Sequence, residues 1–147
     1  MRSRIVAIDF GLKRIGVAIS DESKIIATPF KTIFTEKKGI DTAKKLIDEL
    51  KADALSRKYA IEKIIVGMPL MMNGKMGFLA DEVMHFIEIL KTLIDCPILP
   101  WDERLTTAQA EKSLLESELT RRRRSQIVDS IAAIIILQSY LDHLKLT

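Results

Sequence analysis

Arg4-Ile5-Val6-Ala7-Ile8-Asp9-Phe10-Gly11, continuing into Leu12-Lys13-Arg14-Ile15-Gly16-Val17-Ala18, is the stretch from which the fold is read. An apolar run rich in Ile and Val that ends at a turn predicts a strand buried on both faces, and it leaves Asp9 where the sheet interior opens. A carboxylate in that place is costly unless a cation offsets it. Gly11 can take positive φ and lets the chain reverse into a second strand, Ile15 to Ser20, in which Gly16 lets the backbone approach a ligand closely. Capping of a hairpin is the plainer role for this Asp, since Asp and Gly are both common at strand ends.

Working outward, Lys24 to Phe30 reads as a third strand, and Pro29 favours an edge position for it. From Gly39 to about Tyr59, Ile40, Ala43, Leu46, Ile47, Leu50, Ala54 and Leu55 recur at helical spacing, predicting an amphipathic helix laid on the sheet. Ile61 to Gly67 is the next strand, followed by a loop to Gly77 and a helix over about Phe78 to Thr92. Ile98 and Leu99 lead into a short strand ending in Asp102-Glu103-Arg104. Thr106 with Gln109 fits a capping box, so a helix is expected to about Ser117. A polar stretch, Glu116 to Arg124, then separates it from a last helix over about Ser125 to Leu144, apolar nearly all round from Ile127 to Leu137. The order βββαβαβαα predicts an α/β fold, a five-stranded mixed sheet flanked by helices, with residues 1–147 forming a single domain. Ligands collect at the carboxyl ends of such strands, where Asp9, the loop after Gly67 and Asp102-Glu103 converge.

The 147 residues suffice for one core without staples, and a net charge of +3 with a pI near 9.0 hints at a polyanionic partner. Cys96 is the lone cysteine, no basic-then-apolar leader precedes the first strand, and Ile131 to Leu137 is far too short to span a bilayer. A cytoplasmic protein with no membrane segment is expected; whether it is a monomer or dimer is left open.

Asp129 interrupts the most apolar helix, where a carboxylate needs either a partner or the dipole of a helix N-terminus. Asp9, Glu103 and Asp129, with Asp102 in reserve, form an all-oxygen set suited to Mg2+ or Mn2+ rather than zinc. Two such ions about 3.5 to 4 Å apart can activate water and stabilise the departing oxygen in phosphodiester hydrolysis. If another strand separates Glu103 from Asp9, the longer Glu side chain must cover the gap, which Asp102 would find harder. Arg121-Arg122-Arg123-Arg124 would alone read as a solvated face. Together with Lys13, Arg14, Lys75 and Arg104, expected at the same edge, it reads as a rim for nucleic-acid phosphates. Gly74, Lys75 and Gly77 are candidates for a phosphate cradle ahead of a helix. His85 and His143 read as ordinary helix residues, and Cys96 has no base beside it in sequence.

These motifs, taken in order, resemble the YqgF/RuvX family, Holliday-junction resolvase-like nucleases of the RNase H-like superfamily. The resemblance rests on Ala7-Ile8-Asp9-Phe10-Gly11 with Arg14-Ile15-Gly16-Val17-Ala18, on Val66-Gly67-Met68-Pro69-Leu70 with Asn73-Gly74, on Asp102-Glu103-Arg104-Leu105-Thr106-Thr107, and on Asp129-Ser130-Ile131-Ala132-Ala133. It implies an RNase H-like fold and a cytoplasmic nuclease that processes the 5′ end of pre-16S ribosomal RNA, with Asp9, Glu103 and Asp129 as the acids. Many superfamily nucleases carry an acid at the end of the fourth strand. Here that place reads Val66-Gly67-Met68-Pro69, a departure shared with the YqgF-like pattern. The leading expectation is a metal-dependent nuclease acting on structured RNA, with branched DNA as the alternative substrate. A nucleic-acid-binding module without turnover is a second class. An ATP-binding protein of the actin and sugar-kinase type is a third, and it would need a second domain that this length does not hold.

Overall fold

The first strand, β1 (Ser3–Phe10), is the middle of a five-stranded sheet in the order β3-β2-β1-β4-β5. The computed structural model describes residues 2–70, 73–103 and 121–146, with 121–130 described as backbone only. β2 (Arg14–Ser20) runs antiparallel to β1 and β3 (Ala27–Phe34) antiparallel to β2, whereas β4 (Ala60–Met68) is parallel to β1 and β5 (Ile98–Asp102) parallel to β4. The sheet is mixed, as expected from two hairpin connections followed by two helical crossovers.

Strand alternation sorts the core into two clusters. Val6, Ile8, Val17, Ile64 and Val66 pack with α1 (Gly39–Arg57) and α2 (Phe78–Lys91). Ile5, Ala7, Ala18 and Ile65 pack with Ala133, Ile136, Leu137, Tyr140 and Leu141 of α3 (Arg121–Lys145). Ile5 to Ile8 are wholly inaccessible to solvent, which accounts for the unbroken apolar run of β1.

Three expectations are corrected. The third strand begins at Ala27 rather than Lys24, because the Asp21 carboxylate accepts the amides of Ile25 (2.8 Å) and Ile26 (3.0 Å) and folds this stretch into a turn. Lys24 adopts φ 58° within that turn. Gly11 does not take positive φ; among the described glycines only Gly74 does. What position 11 requires is space, since a Cβ there would collide with the Arg14 carbonyl oxygen. Finally, Arg121 to Arg124 lie within α3 rather than in a polar separator, in keeping with the good helix propensity of arginine. The helix expected from Thr106 to Ser117 lies outside the described residues.

Pro29 does stand on an edge strand, beside a bulge that shifts the register between Val17 and Ala18. Gln138 ties α3 to this edge: its Oε1 accepts the Ala27 amide (3.0 Å) and its Nε2 donates to the Ile25 carbonyl (2.9 Å). No helix among the described residues is long and apolar enough to cross a membrane.

Candidate active site

Asp9 is the next-to-last residue of β1 and pairs with Gly16 of β2. Two residues past Ala7, it projects from the α3 face of the sheet, and it is only 6% exposed. On the other side of β1, Ile8 pairs with Val66, so Asp9 stands next to Gly67 at about the 4.8 Å spacing of adjacent strands.

Gly67 in turn pairs with Trp101 of β5, and Met68 with Asp102. Trp101 packs edge-on against Tyr140 (5.3 Å) and His143 (5.4 Å) of α3, which places it on the same face as Asp9. Alternation therefore directs Asp102 to the opposite face and brings Glu103 back to the α3 face. Glu103 is 7% exposed, and its Oε1 lies 2.6 Å from where a Cβ on Gly67 would be. The carboxylate thus lies over the intervening strand, toward Asp9. The longer side chain reaches as far as the intervening strand, at a residue that has no side chain.

α3 crosses the same point. The Ile136 Cδ1 also lies 2.6 Å from the Cβ position of Gly67. Asp129 is on this helix, one turn before Ala133 and two before Ile136; its side chain lies outside the described residues.

The basic residues divide. Lys13 is exposed in the turn after β1, which Thr35 pins by donating its hydroxyl to the Leu12 carbonyl (2.8 Å) and its amide to that of Lys13 (3.0 Å). Arg14 is half-buried at the start of β2. Lys75 is exposed in the loop after β4, where its amide donates to the Asn73 side chain (3.0 Å) beside Gly74 at φ 84°. All three stand at the Asp9 end of the sheet. Arg104 and the side chains of Arg121, Arg122, Arg123 and Arg124 lie outside the described residues. Asp81 already places a carboxylate in the first turn of α2, which works against an anion at that helix end.

Across the sheet from Asp9, Phe10 packs on Phe86 (5.1 Å between rings) at a cavity of about 170 Å³ that His85, Glu82 and Glu36 also line. Met68 is buried in the core on that face, Met76 is exposed, and Met71 and Met72 lie outside the described residues. Burial, reinforced by the neighbouring Asp95 charge, pushes the Cys96 thiol above its ordinary value, which disfavours the thiolate a nucleophile needs. In the sequence Gly67 ends a strand and sits in the Val66 to Leu70 motif, with no role of its own. The available signal was a glycine closing an otherwise Ile- and Val-rich strand, a mark of close approach by a neighbour.

A sheet of this order, with a carboxylate near the end of its central strand, another just after its last strand and a long helix across one face, is an RNase H-like fold. It superimposes on a structure titled "T. thermophilus RuvC in complex with Holliday junction substrate" with a TM-score of 0.60 over 97% of this chain and 96% of that one, at 10% identity. That likeness is one of fold. The chain belongs to the RuvX family: residues 3–143 match the family described as "RuvX: Holliday junction resolvase". A relative from Protochlamydia amoebophila (strain UWE25), named "Putative pre-16S rRNA nuclease", is 57% identical over 140 residues, covering 95% of this chain and 93% of its own. One from Clostridium kluyveri with the same name is 45% identical over 142 residues, covering 97% and 98%. The family and fold implied by the motif resemblance are those found.

Proposed function

We propose that this chain is a cytoplasmic, metal-dependent nuclease that hydrolyses phosphodiester bonds at the 5′ end of pre-16S ribosomal RNA. What supports the reading is that Asp9 and Glu103, both more than nine-tenths buried, lie at the carboxyl edge of the sheet, and that the Glu103 carboxylate reaches Gly67 on the strand next to Asp9. Two acidic groups brought together away from water fit a hard divalent cation, since oxygen donors are what Mg2+ and Mn2+ take. Asp9 and Glu103 would hold it, with Asp129 of α3 as the third acid. When bound, such an ion supplies Lewis acidity and a water of lowered pKa at the scissile phosphate.

The protein supplies position and exclusion of bulk water. β1 carries Asp9 within the sheet and the end of β5 fixes Glu103 directly after it, while Ile136 lies against the Gly67 position from the α3 side. Lys13, Arg14 and Lys75, together with Arg104 and Arg121 to Arg124, bind backbone phosphates and orient the strand to be cut. The names of the relatives support RNA as the substrate. The family description supports a second reading, cleavage of branched DNA at the same site.

The test is one assay in which purified protein with Mg2+ or Mn2+ meets precursor ribosomal RNA and a four-way DNA junction. Wild type is expected to cut the RNA, and folded Asp9→Asn to lose about a hundredfold or more of the rate. Cleavage of the junction alone would move the reading to the second substrate. Binding of both without cutting would reduce it to a binding module.

A further inference from the structure

Building on the proposed metal site, we propose that Gly67 is a positioning residue: its missing side chain is the gap through which the Glu103 carboxylate crosses β4 to stand beside Asp9. The strand order makes the gap necessary. β4 separates β1 from β5, so an acid carried at the end of β5 meets one on β1 only by passing over β4. It passes at residue 67, where a Cβ would lie 2.6 Å from Oε1 and 3.3 Å from Cδ of Glu103. With the Ile136 Cδ1 at 2.6 Å as the other wall of the gap, a side chain at 67 forces at least one of these neighbours to shift.

Of these two neighbours, Ile136 is wholly buried in the α3 cluster, whereas the carboxylate is the far end of a side chain with three rotatable bonds. A methyl group at 67 therefore displaces Glu103 first. Glycine also weakens a strand end relative to a residue with a side chain to pack, so the position sacrifices local stability for the passage.

The variants are Gly67→Ala in the full chain and Gly67→Ala/Ile136→Val, in which loss of Cδ1 relieves the helix contact and leaves only the carboxylate in the way. Ile136→Val alone is the control. The double variant is expected to melt within about 4 °C of wild type without metal, roughly what 1 kcal/mol shifts a domain of this size. Its crystal structure is expected to show the Glu103 carboxylate turned away from residue 67. The Mn2+ concentration that gives half of the thermal stabilisation is expected to rise at least tenfold over wild type and over the control. An unmoved Glu103, or an unchanged Mn2+ midpoint against a wild type that responds, would overturn the proposal. A double-mutant cycle with Glu103→Ala adds a reading free of metal. Gly67→Ala should cost less apo stability, or recover folding, where the carboxylate has been removed, and equal cost in both backgrounds would also overturn it. If wild type itself neither responds to Mn2+ nor cuts nucleic acid while Glu103 is displaced in the variant, the metal reading fails and the positioning role stands.

Discussion

The two faces of this sheet are built from different residues and do different work. Toward α1 and α2 the strands present Val6, Ile8, Val17, Ile64 and Val66, large branched side chains that fill the space under two helices. Toward α3 they present Ala7, Ala18 and Gly67 among Ile5 and Ile65, and the helix answers with the small Ala133 beside Ile136 and Leu137. Small residues on both sides let a single helix come close, and at the carboxyl end that closeness encloses Asp9 and Glu103. One face stores stability in packed volume. The other uses proximity to bury two carboxylates at its carboxyl end.

The sharpest way to break this division is to exchange the neighbouring acids of β5 and the residue after it. Glu103→Gln keeps the shape and removes the charge on the α3 face, and is expected to lower cleavage by about a hundredfold or more. Asp102→Asn alters the opposite face and is expected to leave cleavage near the wild-type rate. A matched loss from both, measured on the same precursor RNA, would show that the faces do not divide the chemistry.

Volume changes should separate the faces next. Leu46 of α1 is wholly buried, so Leu46→Ala is expected to cost about 2–5 kcal/mol of unfolding free energy while the rate per folded molecule stays unchanged. Ala133→Leu adds volume where α3 must come close and is expected to cost about 1–3 kcal/mol. Here the rate per folded molecule should fall as well, because lifting the helix moves Ile136 and the backbone bearing Asp129. Denaturant titration with parallel cleavage rates checks both.

Much of this division was legible in the residues alone. The unbroken Arg4 to Ile8 run marked a central strand, Asp9 after it marked the sheet edge at which the site is proposed, and the reach argument singled out Glu103 over Asp102, a choice that alternation around Trp101 now supports on other grounds. What escaped the sequence depends on partners distant along the chain or on side-chain capping. Ile25 and Ile26 look like strand residues, yet the Asp21 carboxylate takes their amides and makes them a turn. The need for glycine at 67 involves β1, β4, β5 and α3 at once, which no local pattern reports.

That Asp21 turn carries the smallest and most local expected effect, and it bears on one face only. The amides of Ile26 and Ile25, hydrogen-bonded to its carboxylate, hold Asp21 below its ordinary carboxylate value of 3.8. A carboxyl lowered on folding contributes stability that is fully present above the unfolded value and is lost as pH falls through the lower folded value. The turn is joined to α3 through Gln138, which accepts the Ala27 amide and donates to the Ile25 carbonyl, and among the described residues it has no such tie to α1 or α2. As pH falls below about 3.8, amide-exchange protection factors at Ile25, Ile26 and Ala27 should therefore decline before those of the α1 interior. In Asp21→Asn the side-chain oxygen still accepts both amides without a charge, so protection at neutral pH should drop modestly and its decline in acid should disappear. Equal acid sensitivity of the α1 amides, or an unchanged acid response in Asp21→Asn, would place the origin of that response in the sheet as a whole rather than on the face held by α3.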